Sequence, residues 1–404
     1  MRQIIFPDTG QKRLTWYLAA EEFVAANLVS LTSDSPSGEH EAFFMWQVAP
    51  TVIFGRNQIM EAEVNLPFCK EHRINLVRRK SGGGCVYADM GNIMISYICD
   101  RTDVAFVFAR FMDRLELALR RLGVQAVRSG RNDIMIGGRK VSGTAFSLLP
   151  NASIVHSTLL FDVDLDMLEK AITPSEDKLA GRGIKSVRSH VTNLKAELEA
   201  AGHPLTIDAV KEQLSSCFCN EISPRASLGR NDSHTYASLG RNDSNSRLTI
   251  HPQTHATLGT VRGGTKALAN GGVEQSETVL GWMHQPASQI VEAINAIEQS
   301  YLRPEFLYGR HSSDLKEYRK RIEGAGEVIV SIGLEEEKIK TVDIKGDYFG
   351  TGVEGSTTLQ NLLQGLPLQE TAIDKALSGK DLGIMGLTPE QFKDLIFSKE
   401  EITT

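Results

Sequence analysis

The 404-residue chain contains no run approaching the ~20 consecutive apolar residues needed to cross a bilayer, so a membrane-spanning protein is not expected. It is also short of cysteine. Five cysteines, an odd number spread over a long chain, do not make the dense framework of a small secreted domain, and Cys217-Phe-Cys219 lacks a second metal-binding half. A third absence is positive charge. Forty-four basic against 50 acidic residues give a net charge of −6, without the broad basic excess of a general nucleic-acid binder, so any positive site must be local. The opening Met1–Pro7 stretch has only a short apolar segment; a reduced compartment, the cytoplasm, is the expected location, with an organelle left open. What the chain does have is 41% hydrophobic and 23% charged residues, enough for a real core and, at ~150 residues per domain, for two or three domains.

Strand-like and helix-like stretches alternate through residues 1–222, as in a mixed α/β catalytic domain. The clearest helix spans Val104 to Leu122, with an apolar face of Phe106, Phe108, Phe111, Met112, Leu115, Leu117, Leu119 and Leu122 and a stop at Gly123. Ile93–Ile98 and Ile154–Phe161 read as strands. Residues 223–280 change character: Ala226–Ser233 recurs identically as Ala237–Ser244, an 11-residue period rich in Ser, Asn, Asp and Gly. Two such short copies cannot stack into a solenoid, so a linker or surface insertion is expected. Residues 281–404 read as a smaller α+β domain with a helix near Ala287–Gln299, a strand at Glu327–Ile332, and a capping box at Thr388-Pro-Glu-Gln391.

Three stretches combine positive charge with glycine. In Arg78-Arg-Lys-Ser-Gly-Gly-Gly-Cys85 the glycine peptides could approach an anion while an arginine offers a planar donor fork; a tight turn beside a solvated charge run is the plainer alternative. In Asn132–Phe146, two strands meet at Gly137-Gly138 and place Lys140 just after a turn. There it could bridge a carboxylate and a phosphate, with Asp133 orienting it or holding magnesium, or it could be an ordinary surface lysine. Lys178–His190 carries two glycines with Lys178, Arg182, Lys185 and Arg188, suited either to closing over a nucleotide or to a solvated cationic loop. His156 in its strand reads as a site-lining or hydrogen-bonded core residue, and Cys85 as a buried small apolar residue rather than a nucleophile.

Taken in order, these stretches resemble the lipoate–protein ligase A family within the biotin/lipoate ligase superfamily. The resemblance rests on Gly55-Arg-Asn-Gln58, Arg78–Gly84, Gly91-Asn92, Gly130–Asp133, Arg139-Lys-Val-Ser-Gly143, His156–Leu160, and Gly183–Ser189 running into Val191–Leu194. It covers residues 10 to 200 closely. It implies an α+β fold: a mixed-sheet catalytic domain of the biotin/lipoate ligase type with a smaller α+β C-terminal accessory domain. It further implies Lys140 as the catalytic lysine and Asp133 as a magnesium ligand. The lipoate or lipoyl-AMP site would be lined by Arg78, Arg79, Ser81, Gly82, Gly83, Gly84, Cys85, Asn132, Ser142, Gly143, Ala145, His156 and Thr158, and covered by Gly183, Ile184, Lys185 and Ser186. Cys85, Ala88 and His190 depart from the usual pattern, where a small residue, histidine and arginine are common.

The implied reaction joins lipoate to ATP as lipoyl-AMP, with Mg2+ as activator, then transfers lipoyl to a lysine of an apo lipoyl domain, either in a 2-oxoacid dehydrogenase E2 subunit or in the glycine-cleavage H protein. Neither nucleic acid nor membrane is an expected partner. An ATP-independent octanoyl/lipoyl transferase would need a cysteine just upstream of the Lys140 motif, where residues 123–138 have none. Biotin ligase would need a Gly-Arg-Gly-Arg-x-Gly loop, which is absent. A non-catalytic lipoyl-domain binder would have no reason to keep Lys140 and both glycine-rich stretches.

Overall fold

A computed structural model describes residues 1–6, 10–33, 35, 38–130, 132–172, 190–219, 277–279, 287–308, 315–352 and 355–397. The chain divides into two units, residues 1–221 with 276–404, and residues 222–275; the second, with the duplicated stretches, lies outside the described residues.

The strands, in chain order, are β1 (Arg2–Ile5), β2 (Glu41–Trp46), β3 (Thr51–Phe54), β4 (Asn75–Arg78), β5 (Val86–Ala88), β6 (Asn92–Cys99), β7 (Ala126–Ser129), β8 (Asp133–Ile136), β9 (Arg139–Leu149), β10 (Ala152–Leu160), β11 (Glu277–Val279), β12 (Lys316–Ile322), β13 (Gly326–Glu335) and β14 (Lys338–Gly346). The main sheet runs β11-β1-β2-β6-β10-β9-β8-β7, mixed because β1 pairs in parallel with β11 and β2 while the rest is antiparallel. A small sheet, β4-β3-β5, carries the arginine- and glycine-rich segment at its edge.

Strand β6 shows why the sheet has helices on both faces. All its residues are buried, and they alternate: Ile93, Ile95, Tyr97 and Cys99 join one core, Met94 and Ile98 the other. The helix Val104–Arg121 covers the first face through Val107, Phe111, Met112, Leu115 and Leu119, and Asp103 caps it by accepting the Phe106 amide at 3.1 Å. Three positions on the expected apolar face differ, and one of them, Phe108, is half-buried against the core. Phe106 is exposed, because its first-turn position projects beyond the sheet, where it lies under the guanidinium groups of Arg101 and Arg110; Leu117 is only half-buried. The helix Leu14–Ala26 covers the second face, and the helix Ala287–Glu298 packs on that core through Ile290 and Ile294.

The C-terminal segment has its own core. β12-β13-β14 form an antiparallel sheet covered by the helices Thr357–Leu363, Glu370–Leu377 and Pro389–Phe397. Ala287–Glu298 packs on the core of the main sheet, while the small core is formed, among the described residues, by buried side chains from Ile322 to Ile396 with Tyr318 packed against them. The expected capping box is formed: Thr388 N–H donates to Gln391 Oε1 at 2.9 Å and Gln391 N–H to Thr388 Oγ1 at 3.2 Å. Among the described residues no helix is long and apolar enough to cross a membrane.

Candidate functional site

The segment after β4 is shaped by its arginines. Arg78 donates to the carbonyls of Gly55 (3.1 Å), Arg56 (3.0 Å), Gln58 (2.7 Å) and Leu307 (3.0 Å), and stacks over Phe54. Arg79 donates to the carbonyls of Ile53, Gly82 and Gly84, at 2.7 to 3.2 Å. Burial lowers both guanidinium pKa values to about 10, which still leaves them charged at neutral pH. The sequence offered these forks to an anion; in the structure they hold main-chain oxygens, so their placed role is to hold the loop's shape. The Gly55–Gln58 turn is locked beside it: Gly55 N–H donates to Gln58 Oε1 at 2.8 Å, and a Cβ on Gly55 would lie 2.2 Å from the Gly83 oxygen.

The three glycines do different things. A Cβ on Gly82 would meet the Tyr348 oxygen at 2.2 Å. Gly83 has φ +88°, donates to that same oxygen at 3.1 Å, and faces the ring of Phe349, which a Cβ would approach to 2.8 Å. The C-terminal segment thus sits directly on the loop. Gly84 has open space where its side chain would be. Ser81 is bonded to His156 Nε2 at 2.7 Å, and His156 Nδ1 to Glu21 at 3.1 Å, tying loop, sheet and first helix together.

On the other side of the site, Gly137 and Gly138 both have positive φ and turn β8 into β9. Asp133 pairs with Gly143 and Ile134 with Ser142, but Met135 pairs with Lys140, so the register skips Val141. This bulge decides where the lysine points. Gly143 faces the site, and strict alternation would send Lys140 to the opposite face; the extra residue leaves Val141 and Ser142 both on the helix-covered face and turns Lys140 back across Gly143. A Cβ on Gly143 would lie 2.6 Å from Lys140 Nζ, so only glycine leaves room for the side chain. Nζ is 2.7 Å from Asp133 Oδ1, an ion-pair distance without hydrogen-bond alignment, so that this buried oxygen has no hydrogen-bond partner. Val191 bridges to Lys140, and Thr192 N–H donates to its carbonyl at 2.9 Å.

These elements enclose a cavity of about 160 Å³. Its polar wall includes Lys140, Asp133, Asn132, Arg79 and His190; its apolar wall includes Leu14, Leu18, Trp46, Ile53, Val86 and Met94. Of the residues expected at the site, Gly83, Gly84, Cys85, Gly143, Ala145, His156 and Thr158 also line it. Arg78, Ser81 and Gly82 do not line this cavity but buttress it, and Ser142 lies on the other face, 2.7 Å from Ser157 Oγ. Gly183, Ile184, Lys185 and Ser186 lie outside the described residues. Cys85, expected to be buried, is only half-buried because it lines the cavity, and it is in no disulfide.

The family resemblance implies an apolar tunnel beside the glycine-rich loop, but the sequence names none of its residues, nor two residues from the C-terminal segment, Asp347 and Phe349. Phe349 stacks on Phe146, with ring centroids 5.4 Å apart, and Asp347 accepts the Glu327 amide at 2.5 Å. Trp46 is fixed by stacking on Tyr17, centroids 4.6 Å apart, and by its Nε1–H donating to Ser96 Oγ at 2.8 Å. No local motif marks any of these, since their role comes from tertiary placement.

A mixed sheet thus presents a lysine–aspartate pair and an apolar wall to one cavity. The family described as the lipoyl protein ligase A/B catalytic domain matches residues 17–219, and that described as the bacterial lipoate protein ligase C-terminus matches residues 316–396. The chain belongs to the lipoyl protein ligase A/B family. Lipoate-protein ligase LplJ of Bacillus subtilis is 29% identical over 384 residues, 94% of this chain and 96% of that protein. Lipoate–protein ligase 1 of Staphylococcus aureus is 38% identical over 200 residues, 49% of this chain and 57% of that protein. The crystal structure of P. falciparum LipL1 in complex with lipoate shares the fold, with a TM-score of 0.63 and 15% identity over 97% of each chain.

Proposed function

We propose that this enzyme is an ATP-dependent lipoate–protein ligase. The carrying observation is the single cavity in which Lys140 and Asp133 stand on β8 and β9 while Trp46 and Leu14 close the apolar side near β2. Three strand spacings separate β2 from β9, roughly 14 Å, so the cavity can hold an extended medium-chain acid with its carboxylate toward Lys140.

A free carboxylate does not acylate an amine; its oxygen must first become a leaving group. In this reading a lipoate oxygen attacks the α-phosphorus of ATP, pyrophosphate departs, and lipoyl-AMP forms. Lys140 Nζ bridges the carboxylate and the α-phosphate, offsetting charge that builds as the bond forms, and Asp133 holds the ammonium in place. The target lysine of an apo lipoyl domain then attacks the carbonyl carbon, releasing AMP and a proton. Proximity supplies most of that second step. The acceptor class extends to 2-oxoacid dehydrogenase E2 subunits and the glycine-cleavage H protein.

Magnesium fits the donor set in one respect: the buried Asp133 Oδ1 has no hydrogen-bond partner, and Mg2+ is commonly held by one or two carboxylates together with substrate phosphates. When bound it would neutralise phosphate charge. Among the described residues no group of three or more His, Cys, Asp or Glu side chains is arranged as a complete metal site.

The test is mass spectrometry of a purified apo lipoyl domain incubated with the protein, lipoate, ATP and magnesium. The expected result is a lipoyl mass gain that requires ATP; no gain, with acyl-AMP also absent, would favour the ATP-independent transferase or a non-catalytic binder.

A further inference from the structure

The apolar side of the cavity ends at the first turn of the helix Leu14–Ala26, and a second cavity starts behind the same residue: Leu14 lines both. The second cavity has a volume of about 390 Å³ and is walled by Val48, Val77, Tyr301, Leu302 and Leu307. Gln11, Lys12, Thr51 and Asn75 also line it, so it has a polar side as well as an apolar one. Its arginine, Arg13, is paired: Glu298, buried from solvent, accepts Arg13 Nε–H at 2.5 Å, Arg13 Nη2–H at 2.9 Å and Thr15 Oγ1–H at 2.5 Å. The apolar wall next to Leu14 suits a hydrocarbon.

Two residues at the apolar end of the first cavity differ in what holds them. Trp46, which lines the first cavity and not the second, is fixed by its stack on Tyr17 and its hydrogen bond to Ser96, whereas Leu14, which lines both, contributes an aliphatic side chain, 2% exposed. We propose that Leu14 sets the acyl-chain length the enzyme accepts, and that the chamber behind it is a subsite for the distal methylenes of longer unbranched fatty acids, closed to them while Leu14 is in place. This rests on the ligase reading for the identity of the carboxylate.

The experiment is calorimetric titration of the full chain with octanoate and dodecanoate, comparing the wild type with Leu14→Ala, Leu14→Phe and the double variant Leu14→Ala/Leu302→Trp. Leu302 is partly exposed, so a larger ring there fills the chamber from its solvent side. The readout is the ratio of dodecanoate to octanoate affinity within each protein, which partial unfolding leaves unchanged. Each methylene newly buried is worth about fourfold in affinity. Leu14→Ala is expected to raise the ratio at least tenfold, Leu14→Phe to lower it, and Leu302→Trp to abolish the gain in the double variant. An unchanged ratio in Leu14→Ala, or a gain that survives Leu302→Trp, overturns the partition while octanoate binding leaves the ligase reading standing. Failure of the wild type to bind either acid overturns both.

Discussion

The Arg78–Gly84 loop and the Asp133–Gly143 hairpin have much the same composition, cations beside glycines, and they do opposite things. In the loop, the arginines turn inward and their donors are taken by main-chain carbonyls. In the hairpin, Lys140 is turned back across Gly143 by a bulge, and its ion-pair partner among the described residues is Asp133. Positive charge next to glycine is therefore not one signal. Where the backbone folds over the cation, the charge becomes scaffolding; where a glycine makes room for it to lie across the strand, it remains available to a substrate.

The sharpest break between the two regions comes from Lys140→Ala. With no carbonyl depending on Nζ, the fold should be retained while lipoylation falls by about 10²- to 10³-fold, the scale of removing one group that stabilises developing charge. Arg79→Met should act first on the fold. It leaves the buried oxygens of Ile53, Gly82 and Gly84 without their donor, and a urea titration should show a loss of about 3 kcal/mol.

Gly143→Ala joins the two cases, because it disturbs the lysine without removing it. A Cβ 2.6 Å from Nζ must displace the side chain, so activity should fall about 10- to 100-fold, as for a group misplaced by about 1 Å, while the thermal midpoint moves little. The smallest expected effect lies far from either region. Arg110 hydrogen-bonds to Glu39 and holds its carboxyl below the ordinary 4.5. A depressed folded-state pKa gives stability that is present above the unfolded value and lost as pH falls through the folded one. Glu39→Gln should therefore cost under about 1 kcal/mol at pH 7, and the difference from wild type should shrink in urea titrations run progressively below pH 4.5.

The sequence carried the elements well wherever periodicity was strong. β6, β10, the Val104–Arg121 helix and the Thr388 cap appear where their patterns place them. It also carried the cations and glycines of the site, because a stretch such as Arg139-Lys-Val-Ser-Gly143 is local. It could not show that Val141 would be skipped in the pairing, since a bulge is a property of two strands together. Nor could it show that Phe349, more than 260 residues from Gly83, would pack on that glycine, or that Leu14 and Trp46 would close the apolar wall. Those contacts are set by the docking of helices and the C-terminal sheet, and leave no spacing to read.

The most direct test is lipoate-dependent exchange of radiolabelled pyrophosphate into ATP, measured for the wild type and for Lys140→Ala at equal folded concentration. The account predicts exchange that requires lipoate in the wild type and falls at least 100-fold in the variant. Exchange at an undiminished rate in Lys140→Ala would contradict it, because the lysine on the hairpin would then be no more than a partner for Asp133.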